Sequence, residues 1–191
     1  MKEIKSEKNE FLQNIRNTFE NFFGEDAKNK INLMNYLPED KWLEIKKVGL
    51  LLPFLAEKLG GHKPDQIELE ETLRIAGNYS VPTTLRTGIE GALVLQPLVA
   101  YATPELINEV LPLIFEGEGG GLGITEPETS GSAIAREMQS YYEVLDDNTI
   151  HVNTVKYWQD NSTSDFLLVA KKKKKNGKLS KIINLIFVPK Q

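Results

Sequence analysis

Cysteine is absent from this chain of 191 residues, and histidine occurs only twice, as His62 and His151. Without cysteine the chain can form no disulfide, thiolate metal site, iron–sulfur cluster or thiol nucleophile. Two histidines are too few for a typical zinc site, and neither has a sequence neighbour that suggests catalysis. The sequence therefore predicts no metal centre and no catalytic histidine.

Long apolar runs and an excess of positive charge are missing as well. No apolar run approaches the roughly 18 residues of a membrane-spanning helix, and the first residues lack the apolar segment of a secretory signal. Acidic residues outnumber basic ones by 27 to 23, which gives a net charge of −4. Because nucleic-acid-binding domains are usually basic, we expect no nucleic-acid partner. From the absence of an apolar run and of a signal segment we expect a cytoplasmic protein with no membrane span.

The residues that are present are those of a globular protein, since 40% are hydrophobic and 26% are charged. Apolar spacing predicts helices over residues 2–23, from 38 onward, and over 67–78, 83–102 and 104–116. Alternating apolar residues predict strands over 140–145, 150–155, 166–170 and 182–188. The predicted fold class is α+β, with an all-α helical domain over residues 1–117 and an incomplete antiparallel β-barrel domain over 118–191.

Small residues mark the predicted helix over 83–102, which is nearly all apolar and is therefore expected to be buried. Gly88, Gly91 and Ala92 favour close packing with neighbouring helices. The glycine-dense stretch 117–123 follows the last helix and is interpreted as a helix C-cap and a flexible connector. It is not a dinucleotide fingerprint, since Leu122 occupies the sixth position where that motif needs glycine.

The loop that follows this stretch has a polar composition suited to ligand binding. It offers four hydroxyl side chains within eight residues, at Thr125, Thr129, Ser130 and Ser132. Such a loop can hold a phosphate or a carbonyl oxygen. The alternative interpretation is a turn in which Ser132 is the N-cap of a short helix.

Two other segments allow a functional and a structural interpretation. The indole of Trp158 could stack on a flat cofactor or belong to the core of the β domain. The five lysines at 171–175 resemble a nucleic-acid patch. They adjoin the turn dipeptide Asn176-Gly177, however, and lack interleaved aromatic residues, so a solvated β-turn is favoured.

The order of several motifs resembles the acyl-CoA dehydrogenase family. The stretch 59–61 (Leu-Gly-Gly) resembles the family's Tyr-Gly-Gly segment, and 102–113 resembles the helix that precedes its β domain. The stretch 123–127 resembles the "x-Thr-Glu-Pro" loop, 156–161 resembles the "Lys-x-Trp-Ile-Thr-Asn" strand, and 166–170 resembles the strand after it. The most specific feature is the pair Thr-Glu-Pro and Lys-x-Trp, about 30 residues apart.

This resemblance implies FAD bound between a helical and a β domain. The residues that it places at the flavin are Leu122, Gly123, Ile124, Thr125, Trp158, Gln159 and Asp160. The Thr125 hydroxyl and neighbouring main chain would bind the ring's rim, and Gly131 and Ser132 would lie near the CoA moiety. The implied reaction is α,β-dehydrogenation of an acyl-CoA thioester by a carboxylate base, with an electron-transfer flavoprotein as electron acceptor.

The chain departs from the family pattern at three places. Gln159 and Asp160 replace the usual Ile-Thr, and the stretch 128–133 is one residue longer than the family's "Gly-Ala-Gly-Ser-Asp". The family's C-terminal helical domain is missing, so the base is expected beyond Gln191 and the chain alone is expected to be inactive. Three alternatives stay open: a non-catalytic remnant, a subunit whose C-terminal helices come from a second chain, and a same-fold flavoenzyme with different chemistry. The resemblance also implies a homo-oligomer, unless such a second chain completes the site.

Overall fold

The computed structural model describes residues 10–24, 37–62, 66–116, 119–129, 131–146, 149–157 and 165–189. The chain divides into two compact units, Met1–Gly119 and Gly120–Gln191. The first unit is helical and the second contains a five-stranded sheet. The predicted fold class, a helical part followed by an incomplete β part, is confirmed.

The helical unit contains six α-helices among its described residues, with a π-helical segment and two 3-10 turns. They are α1 (residues 10–24), α2 (Glu39–Lys46), the turns Leu52–Phe54 and Glu57–Leu59, α3 (Gln66–Tyr79), α4 (Val81–Gly88), the π-helix Ile89–Leu95, α5 (Gln96–Tyr101) and α6 (Pro104–Glu116). The core is formed where the apolar stripe of α1 meets α2 and α3, and it includes Phe19, Trp42 and Ile75. None of the described helices is both long and apolar enough to cross a membrane.

The stretch predicted as one helix over 83–102 is a continuous helical run with a π-helical centre. It starts earlier than predicted, at Val81, because Ser80 acts as N-cap and its Oγ accepts from the Thr83 N–H at 3.3 Å. Close packing is confirmed at Gly91, where an added Cβ would lie 2.4 Å from the ring of Phe54. The prediction of close packing is wrong for Gly88, where nothing lies within 4 Å of the Cβ position, and for Ala92, which is exposed.

The sheet of the second unit is mixed rather than wholly antiparallel. Its strands are β1 (Gly120–Gly123), β2 (Tyr141–Asp146), β3 (Thr149–Asn153), β4 (Asp165–Lys173) and β5 (Leu179–Val188). The pairs β2–β3 and β4–β5 are antiparallel, as predicted, whereas β1 and β2 both run parallel to β4. Among the described strands the sheet does not close into a barrel.

Two local predictions about this sheet have different outcomes. The flexible connector predicted before residue 124 is wrong in part, because Gly120–Gly123 forms strand β1 paired with residues 165–168. The turn at Asn176-Gly177 is confirmed, with Gly177 at φ +80° and its N–H bonded to the Lys174 carbonyl at 2.8 Å. Lys172, Lys174 and Lys175 are exposed, as the solvated-turn interpretation requires. That interpretation is wrong for Lys171, which is buried in β4 and donates from its Nζ to the Arg136 and Met138 carbonyls at 3.0 and 3.2 Å.

Candidate functional site

The predicted flavin-binding loop begins at the end of β1. Leu122 is half-buried and Gly123 is buried within the strand, and the next residue, Ile124, has 38% of its surface exposed. Thr125 follows and is half-buried. The structure therefore places the four residues predicted from the resemblance in one continuous extended segment that starts in the sheet.

The Thr-Glu-Pro loop and the Lys-x-Trp segment lie in contact. The Tyr157 N–H donates to the Thr125 carbonyl at 2.9 Å. The Lys156 Nζ donates to the Glu126 Oε1 at 2.7 Å and to the Ile124 carbonyl at 3.3 Å. The two motifs on which the resemblance most depends are thus joined by hydrogen bonds on both sides of Thr125.

The carboxylate of Glu126 is the centre of this contact. It accepts from the backbone N–H of Gln139 at 2.6 Å and of Ser140 at 3.1 Å, in addition to Lys156. The side chains of Glu126 and Lys156 are 3% and 0% exposed, so the ion pair is buried. Burial acts to raise the pKa of Glu126, but the hydrogen bonds from Lys156, Ser140 and Gln139 outweigh it and hold the pKa below its usual value.

Neither Glu126 nor Lys156 was among the predicted site residues, although both stand inside the motifs. Their opposite charges were the available signal. Because the partners are separated by 30 residues in sequence, the pairing depends on how the sheet folds, and spacing along the chain gives no indication of it.

The other predicted site residues take no part in the contact between the two motifs as described. Gly131 and Ser132 are exposed in the turn before the short helix α7 (Ile134–Glu137). The alternative prediction that Ser132 caps this helix is wrong, since Ala133 occupies the N-cap position and no side chain caps it. Trp158, Gln159 and Asp160 lie outside the described residues.

The residues present fit a flavin ring in two respects. Among the described strands β1 pairs only with β4, so no described strand occupies the other edge of this glycine-rich strand, where N–H and carbonyl groups could meet a ligand. Within the described ranges no hydrogen bond engages the Thr125 hydroxyl. Such donors and acceptors match the carbonyl and nitrogen atoms on the rim of an isoalloxazine ring.

A second buried charge cluster surrounds Glu90 in the π-helix of the helical unit. Its carboxylate is fully buried, 3.0 Å from the Arg86 Nε and 3.9 Å from the Lys46 Nζ. Lys46 also donates to the Ile114 carbonyl at 2.6 Å, and Arg86 forms two hydrogen bonds to Glu39. Burial raises the pKa of Glu90 to about 7, although Lys46, Arg86 and Trp42 act in the opposite direction.

The raised pKa of Glu90 predicts a pH dependence of stability. Between about pH 4.5 and about 7 the folded state binds more protons at Glu90 than the unfolded state, so stability falls as pH rises. Over that window the wild-type chain is expected to lose roughly 3 kcal/mol relative to Glu90→Gln. Urea unfolding of both proteins at several pH values measures this difference, and parallel pH profiles would contradict it.

Each of the two histidines lies near a carboxylate. The His62 Nδ1 lies 2.6 Å from the buried Glu68 Oε1, and the His151 Nδ1 lies 3.9 Å from the Glu143 Oε2. Each histidine therefore has a carboxylate partner that the sequence did not reveal. In the described part of the chain no group of three metal-ligating side chains is found.

Comparison with solved structures identifies the fold. The butyryl-CoA dehydrogenase of Megasphaera elsdenii matches with a TM-score of 0.78 at 18% identity, covering 95% of this chain and 48% of that one. The glutaryl-CoA dehydrogenase of Mycobacterium smegmatis, solved with FADH2, gives 0.77 at 19% identity over 96% and 45%. The prolyl acyl carrier protein oxidase AnaB gives 0.78 at 18% identity over 96% and 48%. The fold is that of the acyl-CoA dehydrogenases, and the chain spans about half the length of these structures.

Sequence comparison gives the family. No curated protein sequence matches the chain. The family described as "Acyl-CoA dehydrogenase, N-terminal domain" matches residues 5–118, which is more than half of the chain. The chain therefore belongs to the acyl-CoA dehydrogenase family, as its motifs predicted.

Proposed function

We propose that this chain is the FAD-binding part of an acyl-CoA dehydrogenase that forms a double bond between the α and β carbons of an acyl-CoA thioester. The observation that supports this most is the contact between the Thr-Glu-Pro loop and the Lys-x-Trp segment. That contact fixes Thr125 beside Tyr157, the residue immediately before Trp158. The bond supports the proposal because it brings Thr125 next to the residue from which the Lys-x-Trp segment continues.

The chain's residues have distinct parts in this proposal. The backbone of residues 122–125 and the Thr125 hydroxyl bind the ring's rim, while Trp158 packs on the ring and Gln159 and Asp160 lie beside it. Gly131 and Ser132 bind near the CoA moiety. When bound, FAD supplies the hydride acceptor for the β carbon of the substrate.

The proposal extends to partners and location through the family. The electron acceptor is an electron-transfer flavoprotein, and the protein works in the cytoplasm as a homo-oligomer or with a second chain that supplies further helices. None of the described residues is assigned as the base. The domain boundary stays as proposed, with residues 1–117 helical and 118–191 forming the β domain.

A second candidate is a flavoenzyme of the same fold with another reaction. The match to a prolyl acyl carrier protein oxidase is as good as the match to butyryl-CoA dehydrogenase, with a TM-score of 0.78 in both cases. The fold alone therefore does not separate dehydrogenase from oxidase. Reoxidation of the reduced flavoprotein distinguishes them, because an oxidase returns its electrons rapidly to oxygen and a dehydrogenase needs the electron-transfer flavoprotein.

Flavin binding by the chain tests the proposed function. We expect FAD to co-elute with the chain in gel filtration and its fluorescence to change on binding. Thr125→Val should weaken FAD binding by several-fold, because a hydrogen bond contributes about 0.5–1.5 kcal/mol. Thr149→Val, at the far end of β3, is the matched control and should leave the affinity unchanged. Absence of any FAD binding at about 100 μM, far above the Kd range of a typical specific cofactor site, would contradict the proposal.

A further inference from the structure

The buried pair Glu126–Lys156 connects three separate stretches of the β unit. Glu126 accepts from the N–H groups of Gln139 and Ser140, which follow α7. Lys156 bonds Glu126 and the Ile124 carbonyl. We call Glu126, Lys156 and the backbone groups that they bind the Glu126 clasp.

Thr125 and both of its sequence neighbours are held by the Lys156–Tyr157 segment. Lys156 binds the residue before Thr125 and the residue after it, and Tyr157 binds Thr125 itself. Three hydrogen bonds from two consecutive residues thus hold the segment 124–126, two at backbone carbonyls and one at the Glu126 carboxylate. Because Trp158 directly follows Tyr157 in the chain, the same bonds tie the Thr125 backbone to the start of the segment that contains Trp158.

Burial strengthens the hydrogen bonds of the clasp. The Lys156 side chain is fully buried and Glu126 is nearly so, and in such surroundings a charge-assisted hydrogen bond is stronger than in water. An ion pair is seldom the most stabilising way to fill a buried site, since desolvation opposes it and apolar residues of similar volume often do as well. Stability alone therefore does not account for a pair whose bonds hold the residues on both sides of Thr125.

We propose that Glu126 and Lys156 are positioning residues that set the affinity of the flavin site through the backbone of residues 124–126 and Tyr157, without touching the flavin. This inference rests on the proposed FAD site. It assigns a role to two residues whose charges pair with each other inside the protein. Loss of the clasp should loosen the flavin-binding segment while the rest of the sheet stays folded.

The double variant Glu126→Gln/Lys156→Met separates positioning from stability. It removes both charges together, so it leaves no uncompensated buried charge and is expected to fold. It also removes the donor to the Ile124 carbonyl. Residues that orient the ligands of a metal site typically change affinity by about 10- to 100-fold. By the same positioning argument we expect FAD to bind at least about tenfold more weakly to this variant.

A matched control is available in the same unit. Glu143 and Lys173 form an ion pair at 3.0 Å that is about one-third exposed. The control variant Glu143→Gln/Lys173→Met loses the same charges at a distance from the loop in sequence. We expect its FAD affinity to stay within about twofold of wild type, as is usual for exposed pairs of small energetic effect.

Amide hydrogen exchange without FAD gives the second readout. The clasp predicts that exchange at the Tyr157 amide, which donates to the Thr125 carbonyl, becomes at least about tenfold faster in the clasp variant while β4 amides are unchanged. Wild-type FAD affinity in the clasp variant would overturn the inference, whatever the exchange at Tyr157. Uniform loss of protection across the sheet in the clasp variant would also overturn it, because weaker FAD binding would then follow from general unfolding of the β unit.

The two proposals fail in different ways. If the wild-type chain binds no FAD, the proposed flavin site is contradicted, and the role of the clasp toward the flavin is overturned with it, whatever the exchange data show. If the wild-type chain binds FAD and the clasp variant binds it equally well, only the positioning role is overturned.

Discussion

Lys156→Met is expected to lower the free energy of unfolding of the Gly120–Gln191 unit by about 3–5 kcal/mol, the usual effect of removing one partner from a buried ion pair. The substitution leaves the Glu126 carboxylate, 3% exposed, without its cation. The two backbone N–H groups from Gln139 and Ser140 remain, but they do not neutralise the charge. Urea unfolding at neutral pH, followed by amide exchange of β4 and β5, measures the loss.

The pH dependence of this effect has a definite sign. The pKa of Glu126 in the folded state lies below its value in the unfolded chain. The stability that the pair contributes is therefore present above the unfolded pKa and is lost as the pH falls through the folded one. The difference between wild type and Lys156→Met should shrink in acid.

Lys173→Met serves as the control for this prediction. The Lys173–Glu143 pair is partly exposed, and pairs of this kind contribute about 0–1 kcal/mol. A loss in Lys156→Met no greater than that in Lys173→Met would show that the buried pair does not stabilise the β unit.

Gly119→Ala is the second substitution with a large expected effect. Gly119 has φ +95°, and an added Cβ would lie 1.9 Å from the Glu90 Oε1. Glu90 is fully buried and bonded to Arg86, so its carboxylate has little freedom to move away. Left-handed strain of about 1–2 kcal/mol and overpacking of about 1–3 kcal/mol together predict a destabilisation of about 2–5 kcal/mol.

Gly60→Ala isolates the strain from the contact with Glu90. Gly60 lies in the same unit at φ +83°, and nothing lies within 4 Å of its Cβ position. It should therefore show the strain alone, about 1–2 kcal/mol. Equal losses in the two variants, measured by urea unfolding, would mean that Glu90 yields to the added methyl group.

Local sequence signals predicted most of the elements because those signals act over short distances. The apolar stripe of α1, the proline at the start of α6 and the Asn176-Gly177 turn each specify structure within a few residues. The strands from β2 to β5 were found in the same way, by their period of two. Their bounds shifted by a few residues, since strand ends depend on pairing partners.

What the sequence did not predict depends on distant pairing. Glycine has no intrinsic preference for strands, so β1 exists only because β4 pairs with it. The parallel direction of that pair has no local signal either. The π-helix around Glu90 and the bond from Lys156 to Glu126 are likewise consequences of packing.

In the candidate site, too, local motifs were predictable and distant contacts were not. The motifs indicated the segment 122–125 and the residues of the Lys-x-Trp segment, and the structure shows that the described parts of the two motifs meet. The residues that join them, Glu126 and Lys156, were identified only from the distances between their atoms.

Amide hydrogen exchange of the full chain with and without FAD tests the central claim most directly. We expect FAD to slow exchange in peptides covering residues 120–126 and 154–158 and to leave the β4–β5 turn at Asn176-Gly177 unchanged. Binding of FAD without protection of the 120–126 peptide, or protection confined to other parts of the chain, would contradict the proposal that the Thr-Glu-Pro loop holds the flavin.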